Sequence, residues 1–160
     1  MKRMISLTAL IICSFTISFG ATQTWRLTND SYSDSLPQIT RDNQGKTWVT
    51  WLSNANGNYD VCLKTYQSAL WSSPGWLNAD TNNQNCVRIC YDSFNDRIWA
   101  VWDSVQQLRG CTYNSGTWTQ QGDLLDTNHL LFLTDNNGAY PFRLTANDSG
   151  KIYLAWSSGF

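Results

Sequence analysis

Amide and carboxylate side chains are concentrated in four segments between short apolar runs: residues 53–58, 78–85, 103–107 and 126–140. Gathered on one rigid face, such donors and acceptors suit a hydroxyl-rich ligand. The competing interpretation is that Asn and Asp only shape turns here, as both commonly do. The candidate ligand-binding residues are Asn58, Asp80, Asn82, Asn83 and Asp103, with Trp76 as an aromatic surface.

Catalytic chemistry lacks its usual side chains in this sequence. All twelve acidic residues are Asp, and the single histidine, His129, has no neighbours at metal-ligand spacing. Asp42 and Asp92 each follow an apolar run, which favours a role in capping their own turn backbone. Asp135-Asn-Asn-Gly138 resembles part of a calcium loop but supplies one carboxylate. We therefore predict no catalytic residue, no metal and no cofactor.

The first 20 residues have the pattern of a secretory signal peptide. Lys2 and Arg3 form a basic start, residues 4–19 are an apolar run, and Ser18 and Gly20 are small residues at a cleavage site. The alternative, an uncleaved membrane anchor, is weaker because a span needs about 20 apolar residues. We expect a secreted, extracytoplasmic protein without membrane attachment after cleavage.

Charge and composition narrow the class of the remaining chain, residues 21–160. Nine basic residues face twelve acidic ones, which argues against a nucleic-acid partner because such a partner requires a basic patch. The sequence contains nine Trp, seven Tyr and six Phe, but no apolar pattern of helical period beyond the signal segment. These observations predict an all-β fold.

Four cysteines remain after removal of the signal segment: Cys62, Cys86, Cys90 and Cys111. Secretion permits disulfides, and four cysteines allow three pairings. Cys86 and Cys90 on one strand lie about 13 Å apart, too far to bridge each other. Each therefore pairs with Cys62 or Cys111, or stays a free buried thiol.

One tryptophan-ended strand occurs three times in the chain. Lys46-Thr-Trp-Val-Thr-Trp51 recurs as Arg97-Ile-Trp-Ala-Val-Trp102 and as Lys151-Ile-Tyr-Leu-Ala-Trp156, with the closing Trp repeating at offsets of 51 and 54 residues. A second matched strand and a polar turn precede each copy. A period of this size, built from short strands, is typical of a β-propeller.

The repeats divide the chain into four-stranded units, and we predict a β-propeller fragment of about two and a half antiparallel blades. Blade A covers about residues 37–77, blade B about 86–124, and the start of blade C about 141–156. Repeat-matched tryptophans in these units are interpreted as packing between blades. The predicted strands are Gln38–Arg41, Thr47–Leu52, Tyr59–Tyr66, a strand from Leu70, Val87–Tyr91, Arg97–Trp102, Leu108–Tyr113, Thr117–Gly122, Phe142–Ala146 and Ile152–Trp156.

Residues 22–28 match the fourth strands of the blades and are predicted to form an isolated strand of the type that closes a propeller. About three blades are too few for the usual ring of four to eight. Either the chain is a piece of a longer protein, which we favour, or several copies complete a ring. Open blade edges would then promote self-association.

The matched hairpins resemble bacterial secreted propellers of the sialidase-like, Asp-box-repeat type. The stretch Thr40-Arg-Asp42-Asn-Gln-Gly45-Lys-Thr47-Trp48 is close to the family motif, with one extra residue between Asp and Gly. At the second copy, Asp96 replaces the Gly, and at the third Asn147 replaces the acid. In sialidases the resemblance implies an arginine triad and a Tyr nucleophile activated by Glu, yet this chain has no Glu.

These patterns favour a secreted, non-catalytic binding or scaffold module, with glycans as the expected ligands. Two alternatives are a truncated sialidase-like glycoside hydrolase whose active site lies partly outside this chain, and a short lectin that forms a ring by oligomerisation.

Overall fold

The computed structural model describes residues 24–78, 81–104, 107–124 and 142–155. All regular structure in these ranges is β-strand, so the all-β prediction is confirmed. No described segment forms a helix capable of spanning a membrane. The predicted signal peptide, the loop 126–140 and the closing Trp156 of the third repeat lie outside the described residues.

The first sheet contains β1 (Asp34–Arg41), β2 (Thr47–Ser53), β3 (Asp60–Gln67), β4 (Leu70–Trp71) and β5 (Gly75–Trp76). The first three strands form an antiparallel meander, and both β4 and β5 pair with β3. The predicted fourth strand is thus divided into two short pieces. Pro74, which has no backbone N–H, lies in the break between them.

The second sheet contains β6 (Val87–Asp92), β7 (Arg97–Ser104), β8 (Gln107–Asn114) and β9 (Thr117–Asp123), in that order and antiparallel throughout. The third hairpin pairs β10 (Arg143–Ala146) with β11 (Ile152–Ala155).

The first turns of the first sheet and the third hairpin have one hydrogen-bond pattern. In each, the backbone N–H of the Asx residue donates to the backbone carbonyl of the lysine four positions later. The backbone N–H of the glycine donates to the backbone carbonyl of the Asx residue. Gly45 and Gly150 take φ values of +79° and +75°. In the second sheet, Asp96 takes the left-handed conformation instead, at φ +47°. The turn-capping interpretation is confirmed for Asp42, whose Oδ1 accepts the amides of Gln44 and Lys46.

The two large sheets pack face to face around one apolar cluster. Alternation along each strand sends Trp48 and Leu52 of β2 and Ile98 and Trp102 of β7 into this cluster. The opposite face of the second sheet, with Val101, packs against the third hairpin in a smaller cluster. Strand β6 lies against both β1 and β10, so the first strands of the three units are neighbours.

The closing strand over residues 22–28 stays a prediction; the described residues 24–28 make no strand pairing. Instead Leu27 packs against the face of the first sheet that carries Val49, Trp51 and Cys62, which we call the outer face. The Lys64 ammonium donates to the carbonyl of Leu27, so a side chain binds the backbone group that a neighbouring strand would otherwise use.

Candidate ligand-binding cleft

The loop between β2 and β3 is tied by amide side chains to the segment that joins the two sheets. Asn58 Nδ2 donates to Asp60 Oδ1 at 3.1 Å and to the carbonyl of Asn82 at 3.0 Å. Asp60 is fully buried and also accepts hydrogen bonds from Asn56 and Asn78. Two of the sequence-predicted residues, Asn58 and Asn82, therefore meet directly, and Asn58 has a clear role in holding the loops together.

Asn83 fixes the backbone at the start of β3. Its Oδ1 accepts the amide of Tyr59 at 2.9 Å, and the Tyr59 carbonyl accepts the amide of Gln84 at 2.8 Å. The Tyr59 hydroxyl donates to Ser33 Oγ at 3.0 Å. These bonds hold the aromatic ring of Tyr59 in a defined position beside Asn83, and they place it at the junction of the two sheets.

Asp103 also binds the segment that joins the two sheets, and it is 1% exposed. Its carboxylate accepts the amides of Asn85 and Cys86 and the side-chain amide of Asn85. Burial raises the pKa of Asp103, and these hydrogen bonds oppose the rise. Asp103 is thus enclosed by the protein and supports the cleft residues without being open to a ligand.

Trp76 does not join these residues. It lies on β5 opposite Cys62, and directly opposed residues share a face of the sheet, so Trp76 belongs to the outer face. It is 39% exposed. The remaining predicted residue, Asp80, lies outside the described residues.

A cleft of about 360 Å³ opens between the two sheets at this end, which we call the loop-end cleft. A register shift between Ser35 and Gln38 bends the start of β1, and Leu36 takes a φ of +52°, unusual for a residue with a side chain. The bulge shapes one wall of the cleft. The lining residues are Ser35, Leu36, Leu52, Tyr59, Asn83, Gln84 and Asn85.

Sequence reasoning identified Asn83 in this lining but missed Ser35, Leu36 and Tyr59. The sequence predicts a strand at Tyr59 and gives no sign of a cleft. The bulge that positions Ser35 and Leu36 depends on the pairing of β1 with β2, which no local motif predicts. Asn83 Nδ2 and Ser35 Oγ make no hydrogen bond to other described residues, although Asn83 Oδ1 is engaged. The cleft therefore combines a fixed aromatic ring, an apolar wall and polar groups available to a ligand.

A second cleft, of about 370 Å³, lies at the opposite end of the sheets, among the hairpin turns. Its acidic groups are already engaged: Asp42 Oδ2 accepts the indole N–H of Trp48, and Asp96 accepts the hydroxyl of Tyr91. Burial and the hydrogen bond to Asp96 raise the pKa of Tyr91. A tyrosine nucleophile needs the opposite shift, so this arrangement gives no activated nucleophile.

Four guanidinium groups of the described chain are also engaged. Arg97 forms an ion pair of 2.9 Å with the buried Asp92, Arg41 donates to the carbonyl of Gly45, and Arg88 and Arg143 donate to the carbonyl of Phe142. In the described ranges, no group of three or more His, Cys, Asp or Glu residues is placed to hold a metal ion.

Comparison with known proteins adds no assignment to this geometry. The chain matches no protein-family model and no curated protein.

Proposed function

We propose that the chain is a secreted, non-catalytic β-propeller module that binds hydroxyl-rich glycans in the loop-end cleft. The propeller assignment is supported by two four-stranded antiparallel sheets packed face to face, with β6 between β1 and β10. In such an arrangement the loops that follow the second and fourth strands share one end of the blades. Binding residues commonly gather on such loops.

The single observation that carries the ligand class is the composition of the loop-end cleft. Tyr59 presents a ring suited to the apolar face of a sugar; its hydroxyl is hydrogen-bonded to Ser33 and its backbone is fixed by two further hydrogen bonds. Asn83 Nδ2 has no hydrogen-bond partner among the described residues and Ser35 Oγ can both donate and accept, as sugar hydroxyls require. Among the residues that the structure describes, no charged side chain lines this cleft, which favours a neutral ligand over an ionic one.

A binding role is preferred to catalysis because the buried carboxylates of the described chain are engaged in the fold. Glycoside hydrolysis commonly uses two placed carboxyl groups beside the substrate. Here Asp60, Asp92 and Asp103 are buried and accept hydrogen bonds from their own loops and turns. The resemblance to sialidase-like propellers accordingly supports the fold of this proposal and not an activity.

The test is a glycan array with the purified full chain, followed by titration of the best ligand against Asn83→Asp. This variant keeps the Oδ1 acceptor for the Tyr59 amide and removes the Nδ2 donor. We expect affinity to fall by about tenfold, the value of one good hydrogen bond. Asn114→Asp, at the exposed turn between β8 and β9, is the charge-matched control and should bind as the wild type.

A blank array, or equal affinity of wild type and Asn83→Asp for every positive glycan, would contradict the proposal. Ser35→Ala gives a second, smaller perturbation of the same cleft wall. Circular dichroism of each variant distinguishes a lost contact from a lost fold.

A further inference from the structure

An aromatic contact joins the first and second sheets, and the chain contains both halves of it a second time. At the existing junction, Trp48 of β2 lies over a pair formed across β8 and β9, with ring centroids 4.7 Å from Tyr113 and 6.0 Å from Trp118. Lys46 lies 4.2 Å above the Trp48 ring, and Asp42 accepts the indole N–H. We call Trp48 the inserting half and the Tyr113–Trp118 pair the receiving half.

The first sheet carries an equivalent receiving half on its outer face. Tyr66 of β3 stands opposite Trp71 of β4 with ring centroids 5.0 Å apart, as Tyr113 stands opposite Trp118 at 5.3 Å. Of the aromatic rings in the described part of the chain, Trp25 alone lies against this pair, 6.1 Å from Tyr66 and 47% exposed. By contrast, Trp48 is 1% exposed at the existing junction.

The outer face also leaves apolar surface beside this receiving half. A cavity of about 170 Å³ there is lined by Leu27, Pro37, Val49 and Trp51 among others. The repeat places Val49 and Trp51 at the positions of Ala100 and Trp102, which are buried against the first sheet. The outer face therefore has the composition of a face that packs on a neighbouring sheet.

The third hairpin carries an equivalent inserting half. Tyr153 occupies the repeat position of Trp48, two residues after Lys151, and Asn147 Nδ2 donates to the Tyr153 hydroxyl at 3.3 Å. Leu144 and Leu154 point toward the second sheet, so alternation places Tyr153 on the other face. Tyr153 is 51% exposed there. The turn that braces the aromatic ring is thus already formed, as at Asp42.

We propose that two copies of this chain associate head to tail, with Tyr153 of one copy inserting against Tyr66 and Trp71 of the next and displacing Trp25. A second copy is the occupant because one chain contains both halves, and the contact continues an interface that already joins its own sheets. Since the two surfaces differ, the interface is heterologous and propagates into a ring or a longer assembly. The proposal does not depend on glycan binding.

The test is sedimentation velocity over a concentration series, using protein purified after expression of the full chain. The wild type should associate, and Tyr66→Lys and Tyr153→Lys should each be monomeric, with association weakened about tenfold or more by loss of the aromatic contact. Tyr32→Lys, which changes a tyrosine with the same 51% exposure as Tyr153 but outside both halves, is the control and should associate as the wild type.

Mixing the two monomeric variants identifies the interface as heterologous. Tyr66→Lys keeps an intact inserting half and Tyr153→Lys keeps an intact receiving half, so an equimolar mixture should give a dimer and nothing larger. Trp25→Ala should strengthen association because it removes the competing ring. A monomeric wild type, or a mixture that stays monomeric while the wild type associates, would overturn the proposal.

Discussion

The ring of Trp48 on β2 lies 4.7 Å from the ring of Tyr113 on β8, centroid to centroid, with 59° between the ring planes. These two residues belong to different sheets and stand 65 positions apart in the sequence. Asp42 accepts the indole N–H of Trp48 at 2.9 Å, so the hairpin turn of one sheet sets the orientation of the ring that fills the junction. Turn chemistry and the packing between the two sheets are therefore coupled in this chain.

The coupling predicts losses of stability of unequal size for two formally similar substitutions. Asp42→Asn keeps an acceptor for the turn amides but places an N–H group against the indole N–H, leaving the buried Trp48 donor unsatisfied. We expect a loss of about 1–3 kcal/mol in the free energy of unfolding, measured by urea denaturation. Asn147→Asp should cost less than about 0.5 kcal/mol, because the Tyr153 hydroxyl both donates and accepts.

The aromatic partners explain why the turn of the third hairpin has Asn where the first has Asp. Asn147 donates to the Tyr153 hydroxyl, whereas Asp42 accepts the indole N–H of Trp48. Equal destabilisation by Asp42→Asn and Asn147→Asp would show that the aromatic partner does not matter.

The pH dependence of stability should reveal Asp92. Burial tends to raise its pKa, but hydrogen bonds from Asn95 and Arg97 outweigh this effect and leave the pKa lowered. A lowered pKa means that the folded state binds this proton less readily than the unfolded state. Its stabilising contribution is then fully present above the unfolded value of about 3.9 and is lost as the pH falls through the lower folded value.

Asp92→Asn removes this titration and keeps the size of the side chain. The stability gap between wild type and Asp92→Asn, measured by urea denaturation at successive pH values, should narrow below about pH 4. A gap that stays constant down to pH 2 or widens in acid would contradict this assignment.

The four cysteines of the described chain are free thiols, which decides between the alternatives left open by their spacing. Burial raises the pKa values of Cys62, Cys86, Cys90 and Cys111 to about 12. The thiolate is the reactive form, so a thiol reagent at pH 8 should label none of them in the folded protein and all of them in urea. A reductant should leave the thermal midpoint unchanged. An intact mass showing paired cysteines, or rapid labelling of the native protein, would disprove this.

The three hairpins could be predicted because the same spacing of aromatic and turn residues occurs three times in the sequence. The antiparallel pairing within each hairpin follows from the short polar turn between its strands. The position of residues 24–28 could not be predicted. Their match to a fourth strand does not show whether the edge of a sheet is free to pair with them. Their position instead depends on Leu27 packing against Val49 and Trp51 and on Lys64 binding the Leu27 carbonyl.

The candidate cleft was predicted in part for a similar reason. Asn83 stands in a loop whose composition indicates hydrogen bonding, and in the structure its side chain accepts the amide of Tyr59. Leu36 carries no sequence signal, because its left-handed conformation arises from the register shift between β1 and β2. The conformation of Leu36 therefore depends on contacts between strands, which local residue types do not predict.

The most direct test of this account is a double-mutant cycle on Trp48 and Tyr113, measured by urea denaturation. Trp48→Ala alone should cost about 3–5 kcal/mol, as expected for a buried tryptophan. The cycle should give a coupling energy of about 0.5–1.5 kcal/mol between the two rings. The exposed Trp76, paired with Tyr113 in a control cycle, should show none. Additive effects of Trp48→Ala and Tyr113→Ala would mean that the two sheets do not pack through this ring contact, and would contradict the account at its base.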